Sequence, residues 1–476
     1  MAQTKTTRSL ALVVLAAGKG KRLKSDTPKV LHPLCGRPTL WHVLQAGLAA
    51  KPSKVVIVVG HGADDVRTAV RSWGITPAPV FVEQAEQLGT GHAVLAARSK
   101  IGRVDDVLVA NGDFDPITPD DVRAIVRRHR RSGAALTLGA TDLRDPGGYG
   151  RVVRDASGRV LEVVEGIDAT PQVRAIHEVA TNWMAVRRAD LVRALPRLDR
   201  KNRQREYYLN RVIPLMLADG ARIEAVACDT GGVLGLNSRD GLAAVERVVR
   251  DRINAAHMAN GVTLVDPATT YIDVDVTIGR DSVIRPMSFL EGTTRVGEGC
   301  AIGPSARVAD SSVGDRSEVT FAVVLGSMLG RDVTIGPFAR LRPGCEFADG
   351  AAAGAFTDLK KAKVGKDSKV PHLAYVGDAV LGEDVNIGAG TITVNYDGYA
   401  KHTTVVEDGA RVGSDTMLVA PVRVGKDAST GAGSVITKDV PAGALAVERG
   451  EQRNIPGYRQ RKDAEHRGMR KGKGGH

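Results

Sequence analysis

Aliphatic residues return every six positions along the second half of the chain, at Ile278, Ile284, Leu290, Val296, Ile302 and Val308. After a five-residue step the beat resumes at Val313 and Val319, and again at Ile335 and Leu341. Glycine follows the aliphatic residue at Gly279, Gly297, Gly303, Gly314, Gly330, Gly336, Gly365, Gly382, Gly388, Gly413 and Gly425. This period fits neither an amphipathic helix, which repeats about every 3.6 residues, nor a meander of longer strands. It predicts a parallel β-helix of hexapeptides, three to a triangular coil, with one aliphatic side chain per short strand pointing inward. The register persists far longer than a β-sandwich with regular turns would allow.

Before the hexads, apolar runs alternate with helical patterns. Strands are expected at Leu10–Leu15, Val55–Gly60, Val107–Ala110, Ala135–Ala140 and Arg222–Val226. Helical stretches lie at Leu40–Ala50, Asp64–Ser72 and Asp120–Ser132. The rhythm argues for a Rossmann-like α/β domain, a parallel sheet with helices on both faces. Leu242, Val245, Val249, Ile253 and Ala256 recur at helical spacing, so Arg239–Asn260 reads as one long helix joining the halves. Ser238 or Asp240 can cap its start, and Asn260-Gly261 its end. The expected division is residues 1–237, a linker helix over 238–261, the hexad domain over 262–454, and a tail over 455–476.

Composition sharpens this picture. The 476 residues carry 43% hydrophobic but only 4% aromatic residues, as a thin prism filled by Val, Ile, Leu and Ala would require. The net charge of +12 is concentrated in part in the tail, through Arg459, Arg461, Lys462, Arg467, Arg470, Lys471 and Lys473. Its Gly-rich end reads as disordered and solvated. No aromatic interleaving accompanies the charge, so nucleic acid is not the expected partner. The four cysteines are scattered without a C-x-x-C pair, which suits a reducing cytoplasm and excludes a disulfide framework. LALVVLAAG resembles a leader's apolar core but runs straight into GKGKRLK, so a buried first strand is expected. No segment approaches the about 20 apolar residues of a membrane span.

The first strand runs into LAAGKGKRLKSDTPK, residues 15–29. Gly18 and Gly20 let the backbone approach a phosphate chain, and Lys19, Arg22 and Lys29 can neutralise it. The P-loop pattern is absent. With its Pro-Lys ending, this stretch resembles the sugar-nucleotide pyrophosphorylases. Together with the hexads, roughly residues 10 to 455 resemble the bacterial bifunctional N-acetylglucosamine-1-phosphate uridylyltransferases/glucosamine-1-phosphate acetyltransferases, whose second domain is a left-handed parallel β-helix.

The resemblance implies a site in each half. Leu15, Ala16, Ala17, Gly18 and Lys29 would hold UTP, with Lys29 catalytic; Gln84, Gly89 and Thr90 in QAEQLGTGHA would contact its base. NGD at 111–113 makes Asp113 a Mg²⁺ ligand, and Asn237 in GLNSR the second. GGYGR and VVE point to Gly150 and Glu165 as sugar contacts. A sugar-1-phosphate oxygen would attack the α-phosphorus of UTP, expelling pyrophosphate, so positioning and charge neutralisation carry the catalysis. One Asp and one Asn suffice for a Mg²⁺ that shares its shell with phosphates and water. The sugar pocket departs most from the family. Phe114-Asp115-Pro116 adds a residue and a carboxylate; Ile167 replaces a Lys, Ala180 an Asn, and Asn210-Arg211 a Thr-Asp pair. Lys21 also stands where the family has Thr. If Ala180 removes a sugar-binding group, Asn182 is the residue placed to take over its bond.

In the second half RLRPG, LKKAKVGKDSKVPHLAYVGD and NIGAGTITVNYDG match the family's acetyltransferase site closely. His372 would be the general base that takes the proton of the attacking sugar amine, a task suited to imidazole near neutral pH. Tyr375 and Asn386 would orient it, and Arg342 and Lys360 would bind the sugar phosphate. The backbone at Ala389 could stabilise the oxyanion. Asn395 and Tyr396 complete the acceptor side where it meets acetyl-CoA, and Ser414, Ala432 and Arg449 line the coenzyme groove. Ala355 and Asp358 replace Asn and Glu. The family's members form trimers. Two readings compete with a two-site enzyme of UDP-N-acetylglucosamine synthesis: an acetyltransferase whose other half is altered in specificity or weak, and a non-enzymatic β-helix scaffold. Lys29, Asp113, Asn237, Lys360 and His372 argue against the scaffold.

Overall fold

A computed structural model of the chain describes residues 8–113, 115–233, 235–236 and 238–471. It divides into two compact units. The first runs to Asn260 and includes Asp266–Val276 and Leu290–Gly292; the second holds the remaining residues of the hexad region and the C-terminal segment.

In the first unit, the strand Leu10–Ala16 is buried along its whole length. It pairs in parallel with Lys54–Val59 on one side and Asp106–Asn111 on the other. Its side chains alternate between two cores, as the period of two along a strand demands. Ala11, Val13 and Leu15 face the helix Thr90–Ile101 through Ala93, Val94 and Ala97. Leu10, Leu12, Val14 and Ala16 face the helix Thr39–Leu48 through Leu40, Val43 and Leu44. The main sheet path runs Ile223–Ala227, Leu136–Asp142, Glu178–Arg187, Asp106–Asn111, Leu10–Ala16, Lys54–Val59, Val80–Glu83.

One strand corrects the all-parallel expectation. Glu178–Arg187 is antiparallel to both Asp106–Asn111 and Leu136–Asp142. A parallel return needs a crossover of a dozen or more residues, usually a helix. The connection here supplies instead a two-stranded ribbon, Arg151–Arg154 with Val160–Val164, and a single turn at Pro171–Arg174. The helix Arg239–Ala259 begins at Ser238, whose hydroxyl accepts from the N–H of Gly241. Val245 and Val249 are buried in the first unit's core, so this helix packs as part of that unit.

The second unit contains the prism. Its strands belong to three parallel sheets of eleven, ten and nine strands, each made of every third strand except for the last step of the eleven-stranded sheet, consistent with a parallel β-helix. Register steps from coil to coil, Ile284↔Ile302, Ile302↔Val319, Val319↔Ile335 and Ile335↔Ala353. Ile284, Ile302, Val308, Val319, Ile335 and Leu341 are wholly buried, so the six-residue beat is the core ladder. The glycines after the beat permit the coils to touch. A Cβ on Gly314 would lie 2.5 Å from the carbonyl oxygen of Gly330, and one on Gly365 2.1 Å from that of Gly382. Gly365→Ala must therefore prise two coils apart, at a cost of about 1–3 kcal/mol. The expected result is a fall of about 2–4 °C in melting temperature per kcal/mol, read by scanning calorimetry; an unchanged transition would show that the coils yield freely.

The tail differs from the expectation of disorder. Tyr458–Lys471 forms a helix. Ion pairs one turn apart, Arg459 with Asp463 and Lys462 with Glu465, supply the local support that its composition conceals. Residues 472–476 lie outside the described residues.

Candidate active sites

The first site forms where the central strands end. Gly112 N–H donates to the Leu15 carbonyl at 2.8 Å, stitching the end of Asp106–Asn111 to that of Leu10–Ala16. The loop after Ala17 closes on Lys29. Gly20 has φ of +59°, and a Cβ there would sit 2.7 Å from the Lys29 Cβ, so glycine is required twice over. Lys29 Nζ lies 2.6 Å from Asp113 Oδ2, bringing the candidate phosphate lysine and the candidate metal ligand into one ion pair.

The base-binding candidates are fixed from below. Gln84 is buried and its Nε2 donates to the Gly89 carbonyl at 3.1 Å. Thr90 Oγ1 accepts from the Leu209 N–H at 3.0 Å. A cavity of about 640 Å³ is lined by Leu15, Ala17, Gly18, Lys29, Gln84, Gly89, Thr90 and Asp113. Ala16 is buried behind it and is not among the lining residues.

A second cavity of about 440 Å³ adjoins it, sharing Arg22, Asn111, Asp113 and Gln204. Gly150, Glu165, Ile167, Ala180, Asn182 and Asn210 line the rest. Burial pushes the Glu165 carboxyl up, against the pull of the Asn210 amide, which donates to its Oε1 at 2.8 Å. Asp115 is fully buried, which raises its carboxyl to about 7; the two donors of Asn182 oppose the rise. Arg211, which replaces an acidic family residue, is exposed and lines neither cavity. Phe114 and Asn237 lie outside the described residues, so the second metal-ligand expectation is without a structural counterpart.

The second site sits on the prism. His372 ends the strand Lys369–His372 and pairs in register with Ala355. The next coils follow beneath it: Asp415 N–H donates to the Ala389 carbonyl at 2.6 Å, Gly433 N–H to the Ser414 carbonyl at 2.8 Å, and Arg449 to the Ala432 carbonyl at 3.0 Å. Ala389, Ser414, Ala432 and Arg449 thus belong to one column continuing from His372. Asn386 starts the coil below His372, paired with Lys369.

Around the corner, Arg342, Lys360, Tyr375 and Asn395 gather on the neighbouring sheet. Lys360 pairs in register with Gly377. The Arg342 guanidinium lies 6.0 Å from the Tyr375 ring centroid and donates from Nε to Asp358 at 2.9 Å. Asp358 raises the Arg342 pKa further. Asn395 donates to Asp378 at 2.6 Å, and Tyr396 is exposed with its hydroxyl on the Gly398 carbonyl.

A family model described as a MobA-like NTP transferase domain matches residues 12–211. The bifunctional protein GlmU of Carboxydothermus hydrogenoformans is 44% identical over 447 residues, covering 94% of this chain and 99% of its own length. That of Heliobacterium modesticaldum is 46% identical, covering 92% and 95%, and that of Streptomyces avermitilis 45%, covering 96% and 95%. This chain belongs to the bifunctional GlmU family. It pairs a uridylyltransferase with a glucosamine-1-phosphate acetyltransferase, and nothing favours the alternative of an altered or weak first site.

Within that GlmU frame the structure adds residues that sequence reasoning did not pick out. Lys401 stands beside Lys360 closely enough to lower its pKa. It arrives on a hairpin in which Tyr396 bridges to Lys401 and Asp397 accepts from the N–H groups of Tyr399 and Ala400. Its only sequence signal is a lysine a few residues after NYDG. Gln87 also joins the first site, donating to the Ala17 carbonyl at 2.7 Å.

Proposed function

We propose that the prism acetylates glucosamine-1-phosphate and that the first unit then couples N-acetylglucosamine-1-phosphate to UTP. The observation that carries the reading is the meeting of two cavities at Asp113, one sized for a nucleotide and lined by its ion-pair partner Lys29, the other for a sugar. In the first site, Gly18, Gly20 and Lys29 bind the triphosphate, and Gln84, Gly89 and Thr90 seat the base. The sugar-phosphate oxygen attacks the α-phosphorus; the bond to the β-phosphate breaks and pyrophosphate leaves. Asp113 fits Mg²⁺: its carboxylate opens onto both cavities, so a hard cation there could fill its shell with phosphate oxygens and water. Asn237 is the second proposed ligand. The cation would neutralise phosphate charge.

In the second site, the amine of the sugar attacks the thioester carbonyl, the carbon–sulfur bond breaks, and His372 takes the amine's proton. Arg342, Lys360 and Lys401 bind the sugar phosphate; Tyr375 and Asn386 position the base and the acceptor. The column from Ala389 to Arg449 holds acetyl-CoA. A homotrimer is the proposed assembly. An exposed apolar corner beside His372 supports it: Phe321, Phe338, Phe356 and Leu373 stack from coil to coil, with Phe338 and Phe356 centroids 5.3 Å apart. Among the described residues no helix is long and apolar enough to cross a membrane; the proposed location is the cytoplasm.

The test is direct. Purified protein with glucosamine-1-phosphate and acetyl-CoA should release free thiol, and with UTP, Mg²⁺ and N-acetylglucosamine-1-phosphate should release pyrophosphate; failure of either removes that half of the reading. Lys401→Ala should raise the KM for glucosamine-1-phosphate about tenfold, the loss of one hydrogen bond to a charged group. An unchanged KM would take Lys401 out of the phosphate site.

A further inference from the structure

The sugar cavity holds a device that Ala180 brings into view. Ala180 and Asn182 both line it. Ala180 offers no polar side-chain group. The sheet register breaks between Ala180 and Met184, and such bulges re-aim side chains. Asn182 sits in that break, and its donors go to the buried Asp115: the backbone N–H to Oδ2 at 2.7 Å and Nδ2 to Oδ1 at 3.1 Å. Both Asp115 oxygens accept from Asn182, so the amide nitrogen is held toward Asp115 and the amide oxygen is left to the cavity. On another part of the lining, Asn210 is anchored in the same sense on Glu165.

Resting on the uridylyl-transfer reading, we propose that Asn182 is a specificity-determining residue for the sugar and that Asp115 is its positioning residue. Two carboxylate-anchored amide oxygens, from Asn182 and Asn210, make the cavity an acceptor array. It selects a sugar phosphate that presents donors, the ring hydroxyls and the acetamido N–H. The extra carboxylate after Asp113 thus replaces the missing side chain at Ala180 at one remove, by fixing the residue two places along.

Two variants of the full chain test this, Asn182→Ala and Asp115→Asn. In the second, an amide faces an amide. Only one of Asn182's donors then finds an acceptor, and Asn182 turns its NH₂ toward the cavity. Calorimetric titration with UDP-N-acetylglucosamine should show binding weakened by about 10- to 100-fold in both variants, the cost of an unmet buried group. UTP binding should be unchanged, and kcat/KM for N-acetylglucosamine-1-phosphate should fall with the UDP-sugar affinity. Undiminished UDP-sugar binding in Asn182→Ala overturns the proposal. A parallel loss of UTP binding also overturns it, since Asp115 and Asn182 would then merely hold the fold. If wild-type protein binds UDP-N-acetylglucosamine and loses it in the variants, yet releases no pyrophosphate in the forward assay, the recognition stands and the catalytic reading of the first unit fails.

Discussion

Replacing His372 with alanine lowers acetyl transfer by about 10²–10⁴-fold, the usual contribution of a general base. Uridylyl transfer is unaffected, because every residue proposed for it lies in the other unit. The reason is positional. His372 is the last residue of its strand, at the corner that separates the column Ala389–Ser414–Ala432 from the cluster of Arg342, Lys360 and Tyr375. A group there lies between the column proposed for acetyl-CoA and the cluster proposed for the sugar phosphate. Without it, the attacking amine must lose its proton to water. Free-thiol release from acetyl-CoA, measured beside pyrophosphate release in the same preparation, decides the matter. Equal thiol release in variant and wild type would move the base elsewhere.

Asp113→Ala should abolish most uridylyl transfer while sparing acetylation. Two losses combine. The carboxylate that would hold the metal disappears, and the Lys29 ammonium loses an ion-pair partner 2.6 Å away. Lewis-acid stabilisation of a phosphoryl group is worth several kcal/mol, and each about 1.4 kcal/mol is tenfold in rate. A fall of about 10²–10³-fold is expected, with the Mg²⁺ dependence displaced to higher concentration. Pyrophosphate release across a Mg²⁺ series reads both effects. Full activity at saturating Mg²⁺ would remove Asp113 from the metal site.

The hexad unit was legible because its signal is one-dimensional. Each aliphatic residue marks one strand, and neighbouring coils repeat it. The central strands Leu10–Ala16 and Lys54–Val59 were legible for a related reason, since strands buried on both faces read as unbroken apolar runs. The strand Glu178–Arg187 was not among those expected, and its direction could not have been read in any case, because alternation is the same read either way. The helix Thr90–Ile101 escaped notice because most of its buried face, Gly91, Ala93 and Ala97, is too small to stand out, with only Val94 and Ile101 larger. The motif residues proposed for both sites lie in short local strings. Asp115 and Asn182 could not be paired, being 67 positions apart and joined only where the register breaks. Lys401 was hidden for the opposite reason, its place depending on how a short hairpin folds back toward Lys360.

That hairpin has a wider consequence. Coil pairing continues across it, Lys369↔Asn386 above and Asn386↔Arg411 below, although the second step spans more chain than the first. The surplus, with Tyr396, Asp397 and Lys401, leaves the wall at a corner, and Val380↔Val405 still pair. A prism therefore accepts new chain at its corners without renumbering the walls. Selection can lengthen, shorten or exchange such excursions and change what the enzyme grips, while the rack that carries them keeps its spacing.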